Sequence, residues 1–138
     1  MTNRASVQTV AAALKKSLPE AQLIRIPRHP ERRNIVLAIL CLGLRRRYPY
    51  KENEINDYLK SALAEFNSRV DHVTCRRYMI DLGFVKRDRA GIRYFLNYPK
   101  VESTLSEEAM ESAQDLVEQA LANRRRKPRD ISVPRTRP

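Results

Sequence analysis

The chain has 138 residues and a net charge of +11. That length holds one domain with tails and excludes a large multilayer enzyme scaffold. The charge favours an anionic partner such as nucleic acid, an acidic protein or a membrane surface.

Residues 6–18 carry Val7, Val10, Ala11, Leu14 and Leu18 on one face of an amphipathic helix stopped by Pro19. "LIRIP" (Leu23–Pro27) reads as a short β-prone piece. The spacing then predicts a helix over 30–47. Pro30 and Glu31 suit its positive end, Arg45, Arg46 and Arg47 its negative end, and the run "IVLAILCLGL" makes it the most buried element. That run is ten residues long, too short to span a bilayer. After Pro49, Lys51–Phe66 reads as a helix with Ile55, Leu59, Ala62, Leu63 and Phe66 inside. Ser68 and Asp71 are candidate N-caps for a helix over 70–82 that ends at Gly83. Its inner face holds Cys75, Met79 and Leu82, with Tyr78 beside them, while Val73, Arg76, Arg77 and Ile80 fall outside.

"FVKR" and "IRYFL" pair across "DRAG" as a hairpin over 84–97, with Gly91 at the turn and Ile92, Tyr94 and Leu96 on one face closing the core. Residues 104–123 predict one acidic amphipathic helix. Thr104 and Glu107 suit a capping box, and Leu105, Ala109, Ala113, Leu116 and Ala120 form the stripe. From Arg124 the chain is rich in Arg and Pro and is expected to be disordered.

The expected fold is mainly α with a small β-hairpin: a winged helix-turn-helix core with extra N- and C-terminal helices. The expected division is 1–22, an N-terminal amphipathic helix; 23–99, the winged helix-turn-helix domain; 100–123, the acidic helix; and 124–138, the basic tail. Net charge is +3 over 1–18, +7 over 19–103, −5 over 104–123 and +6 over 124–138. The central region is thus basic in its own right. Two cysteines in apolar helical contexts and no evident signal peptide suggest a reduced, cytoplasmic protein, nucleoid-associated if it binds DNA.

Three stretches carry a family likeness. "LIRIP" supplies Ile26 and Pro27, and "YPYKENEIN" supplies Tyr50, Glu52, Glu54, Ile55 and Asn56. "VDHVTCRRYMIDLGFVKRDRAGIRYFL" supplies Asp71, Thr74, Arg76, Arg77, Asp81, Gly83, Arg87, Gly91 and Tyr94. Together they resemble the bacterial family called domain of unknown function 2087, except that Cys75 stands where the family usually has Leu. The family is similar to winged-helix domains and often accompanies small helix-turn-helix regulators. The resemblance therefore implies the fold more than an activity.

The candidate DNA contacts are His72, Thr74, Arg76 and Arg77 on helix 70–82, and Lys86, Arg87, Arg89 and Arg93 on the hairpin. Helix 70–82 would enter the major groove, and the hairpin would hold phosphates as a basic wing against one acid, Asp88. The structural alternative for Arg76 is a salt bridge to an acid on the preceding helix, such as Glu54 or Asp57, and for the hairpin bases a solvated edge. Val73 and Ile80 on the outer side suit a covered face instead. The tail bases Arg124, Arg125, Arg126, Lys127 and Arg129 suit a flexible nucleic-acid arm or a solubility tail. The acidic helix either packs on its own domain or forms a homodimer seam. His72 and Cys75 stand at a metal-site spacing with no further ligands, so no metal or cofactor is expected. No phosphate loop, nucleophile elbow or HExxH motif appears, and no enzyme activity is expected. Duplex DNA is the expected partner and transcription regulation the expected role. The alternatives are a winged-helix protein-interaction module, or RNA or single-stranded DNA binding with Tyr94, Phe95 and Tyr98 stacking bases.

Overall fold

A computed structural model describes residues 4–132, with side-chain detail to residue 122. The chain is mainly helical with one two-stranded antiparallel hairpin. Helix α1 (Val7–Ser17) is followed by a single 3-10 turn (Pro19–Ala21). Helices α2 (Pro30–Cys41), α3 (Glu52–Glu65) and α4 (His72–Asp81) come next, then strands β1 (Val85–Arg87) and β2 (Tyr94–Leu96). Helices α5 (Tyr98–Thr104), α6 (Glu107–Glu111) and α7 (Ala113–Ser132) complete the described chain.

The apolar run forms the centre of α2, where Ile35 to Cys41 are all buried. Around it α1, α3 and α5 pack, with α4 against α3 and β1 against α4. One hydrophobic cluster runs from Ala5 in the N-terminal segment to Ala120 in α7. The terminal helices thus share the core with the central helices. The apolar stripe of α7 is used internally: Ala113, Leu116 and Ala120 are buried, and α7 packs on α1 and the 3-10 turn.

Local signals set many of the boundaries. Ser6 caps α1 by accepting from the Thr9 N–H, and Pro30 opens α2 at a position that needs no donor. Asp71, not Ser68, caps α4 by accepting from the Thr74 N–H at 2.8 Å. α4 ends in a Schellman turn, with Gly83 at φ 84° and the Phe84 N–H on the Met79 carbonyl at 2.8 Å.

Elsewhere distant contacts override the pattern. α2 stops at Cys41, so Arg45, Arg46 and Arg47 lie beyond it instead of in its last turn. The cause is a pair of tyrosines. The Tyr58 hydroxyl donates to the Leu40 carbonyl at 2.6 Å and accepts from the Gly43 N–H at 3.0 Å. The Tyr50 hydroxyl accepts from the Arg45 N–H at 2.6 Å. A Cβ at position 43 would stand 2.8 Å from the Tyr58 oxygen, so a larger residue there would displace the hydroxyl that makes these bonds.

The segment Leu23–Pro27 forms no strand. Leu23 instead bonds the α3–α4 turn, donating to the Phe66 carbonyl and accepting from the Arg69 N–H. The single helix expected over 104–123 is broken because Ala5 forms a parallel bridge with Leu105 and holds that residue extended. Ser106, not Thr104, then caps the next helix, and the Thr104 hydroxyl donates to the Lys100 carbonyl. All five expected stripe residues are nonetheless buried. The backbone of α7 runs to Ser132. Positions 133–138 lie outside the described residues.

Removing the hydroxyl in Tyr58→Phe leaves the Leu40 carbonyl and Gly43 N–H without their partner. The expected cost is about 1–3 kcal/mol of stability, read as a lower urea midpoint with an unchanged slope.

Candidate nucleic-acid interface

Strand β1 pairs with β2 in the register Val85 to Leu96, Lys86 to Phe95 and Arg87 to Tyr94. The other edge of β2 is held by Tyr50, which exchanges two 2.9 Å backbone hydrogen bonds with Tyr94. The hairpin is thus tied to the segment just before α3. It is tied to α4 through Asn97, whose side chain donates to the Gly83 carbonyl at 2.7 Å and whose N–H donates to the Phe84 carbonyl.

The connecting turn is built on Asp88. Its Oδ1 accepts from the Ile92 N–H at 2.8 Å, and its carbonyl accepts from the N–H of Gly91, which sits at φ 73°. These bonds hold Ile92 in the turn ahead of β2. Ile92 is 58% exposed and does not share the buried face of Tyr94 and Leu96, which corrects the sequence expectation. The bonds to the Ile92, Arg93 and Gly91 amides hold the Asp88 carboxyl below its ordinary range.

The adjacent arginines on α4 have different surroundings. Arg76 is half-buried, donates to the Asn56 side-chain oxygen on α3 and lies 3.9 Å from Glu52. Its guanidinium stands 5.5 Å from the centroid of Tyr94, a ring that is 1% exposed. The structural role foreseen for Arg76, a salt bridge to an acid on the preceding helix, is present through Glu52, and Asn56 is a further partner. Glu54 instead accepts from the Lys51 N–H at 2.8 Å and from the Tyr48 hydroxyl at 3.2 Å, and the Lys51 bond is the main cause of its lowered pKa.

Arg77 is exposed on the opposite side of α4. It shares a shallow cleft with Val73, Ile80 and Asp81 of α4 and Arg87 of β1, with Arg76 and Tyr94 behind. Arg87 is exposed, yet its guanidinium lies 5.5 Å from the Tyr94 centroid. Thr74, Lys86 and Arg89 are exposed, and His72 and Arg93 are half-buried. The structure therefore brings Arg77 and Arg87 to one cleft and turns Arg76 inward. Val73 is 41% exposed, so the outer face of α4 is open at its N-terminal end among the described residues. Tyr78, expected beside the core, is 38% exposed. The side chains of Arg124, Arg125, Arg126, Lys127 and Arg129 lie outside the described residues.

Cys75 packs into the core, where burial pushes its thiol up to about 12. It is a packing residue, and its sulfur is not aligned with His72 on a surface. No group of three or more His, Cys, Asp or Glu is gathered among the described residues, and no described helix is long and apolar enough to cross a membrane.

Tyr50, Glu52, Asn56, Arg76 and Tyr94 thus form one contact network, and each belongs to the sequence pattern noted above. A family-level match covers residues 22–96, described as an uncharacterized protein conserved in bacteria, domain of unknown function 2087. The chain belongs to this family. Its matched region spans α2 to β2, while α1 and α5–α7 lie outside it. Neither a curated protein nor a solved structure matches the chain.

The two arginines should respond differently to truncation. Arg76→Ala is expected to cost about 1–3 kcal/mol because it leaves Asn56 unpaired in a partly buried site. Arg77→Ala should change stability by no more than about 0.5 kcal/mol. Chemical denaturation of both variants checks this.

For Asp88 the folded pKa is lowered, so its contribution is present above its unfolded pKa and lost as pH falls through the folded value. The Ile92 amide shift should titrate with a midpoint below the ordinary Asp value of about 3.9, and Asp88→Asn should remove that titration. A midpoint above that value contradicts the turn geometry.

Proposed function

We propose that this protein binds duplex DNA in the manner of a winged helix-turn-helix regulator. On this reading α4 is the recognition helix and the β1–β2 hairpin the wing. The observation carrying the reading is the placement of Arg77 and Arg87 on two elements that border one open cleft, with Arg76 and Tyr94 fixing those elements behind it. Two exposed guanidiniums on a rigid base suit phosphate or a guanine edge. Lys86 and Arg89 extend the basic surface along the hairpin. In this reading Arg76 acts by positioning, while Arg77 and Thr74 are the α4 residues most open to DNA. A role in transcription follows from the resemblance of the element order to such regulators.

A second reading, a protein-docking surface, is favoured by the exposure of Val73 and Ile92. Base stacking on single strands has less support. Tyr94 is buried, and Arg46 covers the Tyr98 ring at 4.0 Å.

Fluorescence anisotropy with short duplexes, single-stranded DNA and RNA over a salt series separates these readings. Duplex binding should weaken linearly in log–log form, with a slope of about −0.9 per phosphate neutralised. Arg77→Ala and Arg87→Ala should each weaken binding and reduce the slope by about 1 if the residue meets phosphate. If both variants bind as the parent does while remaining folded, the cleft is not the DNA interface. Absence of any salt-sensitive duplex binding favours the protein-docking reading.

A further inference from the structure

A second basic cluster stands on elements that the proposed interface does not use. The C-terminal end of α1, the loop after the 3-10 turn and the first turn of α2 enclose a depression of about 390 Å³. Lys16, Arg25, Arg28, His29 and Arg32 line it together with Ser17, and no carboxylate does. Ser17 is 7% exposed, and its Oγ is buried without a hydrogen-bond partner among the described residues. Every other core residue of α1 is apolar. An unpaired buried hydroxyl costs stability and calls for a partner, and the cations around this one define the partner's charge.

We propose that this depression binds the phosphate group of a small phosphate monoester. Arg28 and Arg32 supply forked donors suited to phosphate oxygens, and Lys16 supplies a mobile point charge. The Ser17 Oγ, closed to solvent as the side chain stands, turns toward the depression and donates its hydroxyl to a third oxygen. The start of α2 adds the positive end of its dipole, and His29, its N-cap, makes no side-chain cap bond there. A monoester has three free oxygens, enough for both guanidiniums and the buried hydroxyl. A duplex backbone phosphate has two, and it rides on a rod too broad to enter the depression. This inference does not depend on the DNA reading, because the residues and elements are different.

The test is amide-detected NMR of the full chain, titrated at constant ionic strength with inorganic phosphate, with glycerol phosphate and with chloride as the control. Saturable shifts are expected at Ser17, Arg28, His29 and Arg32 with both phosphates and not with chloride. Ser17→Ala should weaken binding about fivefold, the size of one net hydrogen bond. It should remain folded, since it removes an orphan hydroxyl. The pair Arg28→Ala with Arg32→Ala should abolish saturation. Shifts that match those in chloride, or an affinity unchanged by Ser17→Ala, overturn the proposal. A short duplex that shifts these same amides more strongly than the monoester also overturns it, by making the depression part of a DNA surface.

Discussion

Two backbone hydrogen bonds between Tyr50 and Tyr94 hold the basic surface together. Strands of three residues are too short to be stable as an isolated hairpin. Here β2 is paired on both sides, by β1 and by Tyr50, and the buried Tyr94 ring fills the junction. The same ring lies beside Arg76 of α4 and Arg87 of β1. Arg76 reaches α3 through Asn56 and Glu52. One residue thus links the segment before α3 to α4 and the hairpin, and fixes how the exposed bases stand relative to each other. Pre-organisation of this kind matters for a charged surface, because every side chain ordered only on binding subtracts from affinity.

Arg76 and Arg77 show how helix phase divides two identical side chains between structure and surface. The buried centre of α4 lies between Cys75 and Met79. At about 100° per residue, Arg76 falls beside that centre and Arg77 nearly opposite it. Arg76 can therefore reach α3 and the Tyr94 ring without leaving its helix, while Arg77 can reach only solvent or a partner. The resemblance alone treats the two alike, whereas helix phase sets Arg77 furthest from the buried face and leaves Arg76 within reach of the preceding helix. Asn56 is the residue that would have revealed it, but its pairing with Arg76 spans twenty positions and no local pattern marks it.

The legible parts of the fold were those decided by neighbours in sequence. Pro30, Asp71, Gly83 and Gly91 each do what their local chemistry dictates, and the buried stripe from Leu105 to Ala120 is the one that periodicity picked out. The parts that were not legible depend on distant atoms. The end of α2 depends on hydroxyls of Tyr50 and Tyr58, the break at Leu105 on the backbone of Ala5, and the exposure of Ile92 on the Asp88 turn. The site divides in the same way. Arg77 and the hairpin bases lie close together in sequence, on consecutive predicted elements, and were visible as one basic stretch. Lys16, Arg25, Arg28 and Arg32 are scattered among helix ends and a proline-bounded loop, and only folding gathers them around Ser17.

The exposed apolar residues of α4 bear on what kind of DNA recognition this surface can support. Phosphate contacts position a protein without reading sequence, whereas base edges and the thymine methyl group carry the sequence information. On the outer face of α4, Arg77 and Thr74 are the polar groups available for base edges, with Asp81 toward the far end opposing phosphate. Val73 sits beside Arg77 at the entry end of the helix. In the DNA reading its exposure is then a means of contact with a thymine methyl and not a sign of a covered face. A surface with few polar readers, one apolar reader and several hairpin cations draws most of its affinity from phosphate. In the proposed DNA reading its selectivity would rest on a small number of base pairs at the N-terminal half of α4. The interior contacts of Arg76 bear on the same surface: losing them would loosen the frame that sets Arg77 and Arg87 at one spacing.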